Sequence, residues 1–157
     1  MTDQTTARDP IEEPLAEALA VVERGDAEGA VRMLQSLLQR FPKSGRAWLA
    51  LGAIWTDPLK NAEGAVESFT NATILDPQHQ VASVALFHGL IAVNRFDGAL
   101  AEAQRFLALH EAGVPLDSDH LATYRDIVSD PEGMKRDLLA HGYLGSRPAV
   151  ASSDRGR

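Results

Sequence analysis

Residues 48–55, WLALGAIW, decide the fold of this 157-residue chain. One face of a helix carries four of them, namely Trp48, Leu51, Gly52 and Trp55. They stand at positions i, i+3, i+4 and i+7, which lie above one another on an α-helix. Glycine inside a helix costs about 1 kcal/mol relative to alanine. Gly52 therefore predicts that a second helix approaches this face closely.

The partner of this helix is predicted immediately downstream. Ala65, Phe69 and Ala72 form their own helical stripe, and a proline follows the run. A proline ends each of three such runs, at Pro42, Pro77 and Pro115. These prolines are 35 and 38 residues apart, and a fixed period of this size indicates a repeat architecture.

The middle unit resembles the tetratricopeptide repeat, whose signature is W-x2-L-G-x2-Y, A-x3-F and a final P within about 34 residues. Trp55 stands where the family usually has tyrosine. The unit upstream matches only in its second half, through Ala30, Leu34 and Pro42. Downstream, residues 95–99 look like the turn between two helices of a repeat. The resemblance implies an all-α fold, a TPR-like solenoid of antiparallel helix pairs.

The resemblance covers about residues 12–112 and suggests the following organisation. We expect a flexible segment at 1–11, three helix pairs at about 12–42, 45–77 and 79–112, C-terminal capping helices at 116–142 and a disordered tail at 143–157. Asp117 or Ser118 is suited to cap one of these last helices, and Asp130-Pro131-Glu132 reads as the start of the other. Solenoids need such caps to cover the last apolar face.

Composition narrows the function classes. The chain has no cysteine, which excludes disulfides, thiolate metal sites and a cysteine nucleophile. A net charge of −7 disfavours nucleic acid and anionic membrane surfaces as partners. The N-terminal residues lack an apolar run, so no signal peptide is expected, and no stretch is long enough to span a bilayer. We expect a cytoplasmic protein of bacterial type.

Candidate chemical sites have simpler structural interpretations. The five histidines show no metal-ligand spacing, and the chain has neither a G-x-S-x-G motif nor a phosphate-binding glycine loop. Asp117-x-Asp119-His120 is better explained as a helix cap than as a cation site. The spacing of Trp48 and Trp55 favours packing over a stacking platform for a ligand. We therefore predict no catalytic residue, no metal and no cofactor, and a protein that is not an enzyme.

The segment at residues 81–93, VASVALFHGLIAV, is apolar on every side of its predicted helix. A helix of this kind is normally buried all round. Three covers are open at this point: the C-terminal cap, a second copy of the chain, or a bound partner peptide.

The resemblance implies a protein-interaction scaffold whose first helices line a concave groove. The groove positions carried over from the family are Arg46, Leu49, Ala53, Thr56, Val84, His88 and Ile91. In the first unit, Glu13, Ala16, Ala20 and Glu23 would face inward. Only Arg46 among the seven is basic, so a carboxylate clamp is not expected. The apolar positions suit an extended peptide or an amphipathic helix with anchors at i, i+3/i+4 and i+7.

We therefore predict a non-catalytic adaptor that binds another protein, with neither nucleic acid nor membrane as a partner. Two alternatives stay open. The first is a self-assembling structural protein, a homo-oligomer formed through residues 81–93 or the C-terminal helices. The second is a helper subunit of an enzyme, which would need a convergent polar cluster in the groove.

Overall fold

The computed structural model describes residues 8–142, and in this range the chain is built from α-helices without a strand. The helices are α1 (Glu12–Glu23), α2 (Ala27–Arg40), α3 (Gly45–Thr56), α4 (Ala62–Leu75), α5 (Gln80–Ala92), α6 (Phe96–Glu111), α7 (Ser118–Ser129) and α8 (Pro131–Ala140). The all-α class is thus confirmed. The chain forms two compact units, of which the first ends at Ala82 and the second begins at Ser83, inside α5.

Three helices of the first unit begin at a polar residue that binds an amide of the first turn. The capping side chains and the amides they accept from are Asp26 with Gly29 at 2.8 Å, Ser44 with Ala47 at 3.2 Å and Asn61 with Gly64 at 3.0 Å. Such a cap contributes about 1 kcal/mol, since it satisfies one of the four amides left unpaired at a helix start. The caps fix where α2, α3 and α4 begin.

The helix pair α3–α4 closes on Gly52. A Cβ atom at this position would lie closer than 3.0 Å to three atoms of the Phe69 ring. The ring therefore rests directly on the backbone of α3, and both residues are buried. This confirms the close helix approach that the glycine predicts.

The two tryptophans belong to the packing of the first unit. Both indoles are partly buried against its apolar core, which contains Leu34, Leu51 and Ile54. The indole Nε1 of Trp48 donates to the carbonyl of Pro42 at 3.1 Å. The packing of both indoles against the core, together with the hydrogen bond of the Trp48 nitrogen, agrees with the interpretation that these residues serve packing.

The core of the second unit is centred on Tyr124 of α7, which is fully buried. Its ring centroid lies 5.0 Å from that of Phe87 and 6.4 Å from that of Phe106. The hydroxyl of Tyr124 is 3.0 Å from Oγ of Ser83, which is also fully buried. Part of the apolar segment 81–93 is thus covered by α7, as the cap alternative expects.

The ends of the helices in the second unit follow the sequence signals. Asp117 caps α7 by accepting from the amide of His120 at 3.0 Å. Asp130 accepts from the amide of Gly133 at 3.0 Å, and Pro131 occupies the first turn of α8. Both caps confirm the expectation.

The titration of Tyr124 gives the second unit a measurable alkaline limit. Burial raises the pKa of Tyr124 from 10.0 to about 12, against the opposing effect of the hydrogen bond with Ser83. Since the folded pKa lies above the unfolded one, this stabilisation is complete below pH 10 and is lost as the pH rises through about 12. We expect the free energy of unfolding to fall by about 1.4 kcal/mol per pH unit in this window.

Urea unfolding of wild type and Tyr124→Phe at several pH values measures the contribution of Tyr124 to the pH dependence of the free energy of unfolding. The slope is expected to be shallower in the variant by that amount, because phenylalanine cannot ionise. Identical slopes in both proteins would show that Tyr124 does not titrate in this window.

Two expectations about the termini fall outside the described residues. The tail at 143–157 lies there entirely, and the segment at 1–11 lies there up to residue 7. The assignment of the helices to three repeats and a cap stays a prediction. Within residues 8–142, none of the helices combines the length and the apolar character needed to cross a bilayer.

Candidate partner-binding surface

Four of the predicted groove residues form a single stripe on α3. Arg46, Leu49, Ala53 and Thr56 are spaced by three, four and three residues, so they share one side of the helix. Leu49 is partly buried and the other three are exposed. The hydroxyl of Thr56 donates back to the carbonyl of Gly52 at 2.9 Å, so it is already hydrogen-bonded. We call these four residues the α3 stripe; its role in binding stays a prediction.

Arg46 is the charged member of the α3 stripe. Its Nη1 lies 3.5 Å from Oδ2 of Asp9, and the two side chains are 60% and 47% exposed. An ion pair this long and this exposed is screened by water and contributes about 1 kcal/mol at most. Arg46 is therefore able to exchange Asp9 for another carboxylate at little cost.

The three predicted groove residues of α5 differ in accessibility. His88 is exposed and Val84 is partly buried. Ile91 is only 7% exposed, and its place in the groove stays a prediction. A helix that is apolar on every side is normally buried by its neighbours. The buried side chain of Ile91 therefore offers little surface to a partner.

His88 and His120 form a pair of neighbouring rings in the second unit. The ring centroid of His120 is 6.2 Å from that of His88, and Nδ1 of His120 lies 2.6 Å from Oδ2 of Asp117. Desolvation of the imidazole by the groups packed around it, together with the nearby His120, lowers the pKa of His88. Hydrogen bonds from the amide and the ring of His120 lower the pKa of Asp117. These contacts hold the first turn of α7.

Glu102 is a buried acidic residue of α6 that is paired with a neighbouring arginine. Glu102, which is 7% exposed, accepts two hydrogen bonds from the guanidinium of Arg105, at 2.8 and 2.6 Å. Among residues 8–142, no three side chains of histidine, aspartate or glutamate are placed to hold a metal ion.

A pocket that no sequence pattern predicted lies at the beginning of α3. It has a volume of about 220 Å³ and lies in the first unit, and we call it the α3 pocket. Its lining residues are Lys43, Gly45, Arg46, Leu49, Ala72, Leu75, Asp76, His79 and Ala82. Most of them come from helix ends and connections, which carry no periodic signal. The available signal was charge, since Lys43 and Arg46 flank one helix start in an acidic chain.

Comparison with known proteins supports the fold. No family model matches the chain, and no curated protein matches its sequence. The chain is similar to a solved structure, that of PcrH in complex with the chaperone binding region of PopD. The TM-score is 0.59 at 19% sequence identity, over 89% of this chain and 98% of the other. At this identity the similarity shows the fold alone, which is a TPR-like, all-helical repeat.

Proposed function

We propose that this protein is a non-catalytic adaptor that binds a segment of another protein on the α3 stripe. The observation that carries the proposal is the accessible side of α3. It presents Leu49 and Ala53 beside each other, while the opposite side of the helix packs against α4. Accessible apolar groups of this kind are the anchors that a peptide or an amphipathic helix contacts.

The fold supports the same class of function. PcrH, whose solved structure this chain resembles, holds the chaperone binding region of PopD in that structure. A helical repeat presents one continuous surface from successive helices and is well suited to bind an extended partner. We extend only the class of ligand, a protein segment, to this chain.

The proposal is tested by affinity capture from a lysate of the source cell with three baits. The first is wild type, and the second is Leu49→Glu/Ala53→Glu, which places two charges on the α3 stripe. The third is Ile74→Glu, a matched control on α4 where the wild-type side chain is 69% exposed and does not line the α3 pocket. Circular dichroism and light scattering first establish equal helix content and mass.

We expect one protein to be retained by wild type and by Ile74→Glu and lost from the double variant. Burying an unpaired carboxylate in an apolar contact costs enough to reduce affinity at least tenfold, by about 1.4 kcal/mol or more. If the double variant retains the same proteins as wild type, the α3 stripe is not the binding surface.

A further inference from the structure

The α3 pocket has an apolar lining and a basic edge. Four of its lining residues are apolar, namely Leu49, Ala72, Leu75 and Ala82. Leu75 is 37% exposed, whereas Ala72 and Ala82 are buried. Arg46 and Leu49 belong to the pocket and to the α3 stripe, so the pocket continues the stripe at the beginning of α3. This shape suits a single apolar side chain.

The charges around the pocket favour an anionic group beside that side chain. Lys43 and Arg46 contribute two positive charges, and Asp76 contributes one negative charge. The carboxylate of Asp76 is turned to its own loop, since Oδ1 accepts from the amide of Gln78 at 3.3 Å. The beginning of α3 adds the positive end of a helix dipole. The pocket is thus locally basic in a chain whose net charge is −7.

The chain itself already places a carboxylate on this edge. Asp9 contacts Arg46 at 3.5 Å through a pair that is exposed on both sides. Lys43 forms no ion pair with any of residues 8–142 and remains available. A carboxylate that reaches both cations would gain more than Asp9, which contacts only one of them.

We propose that the α3 pocket receives an apolar side chain of the partner, with an aspartate or glutamate within a few residues of it that pairs with Arg46 and Lys43. The inference rests on the proposed function and specifies its ligand as an acidic segment with an apolar anchor. The charge complementarity between this segment and the pocket edge carries the assignment.

A library of random twelve-residue peptides displayed on phage tests this inference, with the full chain as bait. We expect the enriched peptides to share a leucine, isoleucine, methionine or phenylalanine close to aspartate or glutamate. Two variants of the bait then measure the role of charge by fluorescence anisotropy with the enriched peptides. Lys43→Glu/Arg46→Glu reverses the pocket edge, and Arg32→Glu/Lys60→Glu changes the net charge equally at residues that do not line the pocket.

We expect the first variant to weaken binding about tenfold and the second about twofold or less, since exposed pairs contribute 0.2–1 kcal/mol each. Peptides that lack acidic residues but still require Ala53 and Leu49 would overturn this inference and leave the proposed function standing. Enriched peptides that are unaffected by Leu49→Glu/Ala53→Glu, or no enrichment, would overturn both.

Discussion

Replacement of Tyr124 by alanine is expected to lower the free energy of unfolding by about 3–5 kcal/mol, the largest effect of any substitution considered. The side chain is fully buried and contacts the rings of Phe87 and Phe106. Its removal leaves a cavity in the centre of the second unit and deprives Ser83 of its hydrogen-bond partner. Urea unfolding followed by circular dichroism measures the loss.

Two milder variants separate the ring from the hydroxyl. Tyr124→Phe keeps the ring and leaves the buried hydroxyl of Ser83 unpaired, which costs about 1–3 kcal/mol. Adding Ser83→Ala removes that unpaired group and is expected to recover much of the loss. A loss below about 1 kcal/mol for Tyr124→Ala would contradict the central position of this side chain.

Gly52→Leu is expected to destabilise the first unit by about 1–3 kcal/mol, since it overpacks the α3–α4 contact. A single Cβ atom already meets the Phe69 ring, and leucine adds three further carbon atoms. The ring has to turn away or the helices have to separate. The melting temperature reports the loss, and an unchanged value would contradict the observed pairing of α3 with α4.

The contact can be isolated by a double-mutant cycle between Gly52→Ala and Phe69→Leu. Gly52→Ala alone is expected to destabilise, although alanine is the better helix former, because its methyl group meets the ring. Beside Phe69→Leu the same alanine is expected to cost less, because leucine leaves room. Additive effects would mean that Gly52 and Phe69 do not interact.

The α3–α4 pair was predictable because its residues repeat with helical spacing. Leu51, Gly52 and Phe69 carry apolar and steric information at fixed intervals, and the structure pairs them as expected. The helix starts at Asp117 and Asp130 were equally predictable, because a capping side chain binds the amide of the residue only three positions later.

The second unit was less readable because its contacts join residues far apart in the chain. The hydrogen bond between Ser83 and Tyr124 joins residues 41 positions apart, and no periodic pattern in the sequence relates the two. Ile91 illustrates the same limit. The resemblance to the repeat family implies a groove position for Ile91, but a helix without a polar side gives no means of choosing which apolar residue is buried.

The candidate site divides in the same way. The α3 stripe was carried over from the groove positions of the repeat family onto the middle unit, whose helical phase the tryptophans and Gly52 define. The α3 pocket did not, because Lys43, Leu75 and His79 stand at helix ends and come together only when α3, α4 and the beginning of α5 are packed. The spacing of residues along the chain does not show which helix ends lie next to one another in the fold.

Photo-crosslinking tests whether the α3 stripe contacts a partner protein. The photoreactive residue p-benzoylphenylalanine is placed at Ala53 in one protein and at Ile74 in a second, and both are irradiated in a lysate of the source cell. Both positions are exposed, but only Ala53 belongs to the stripe. We expect one adduct of defined mass from Ala53 and none of that mass from Ile74. The same adduct from Ile74, or its absence from Ala53 while the partner is still captured, would contradict this expectation.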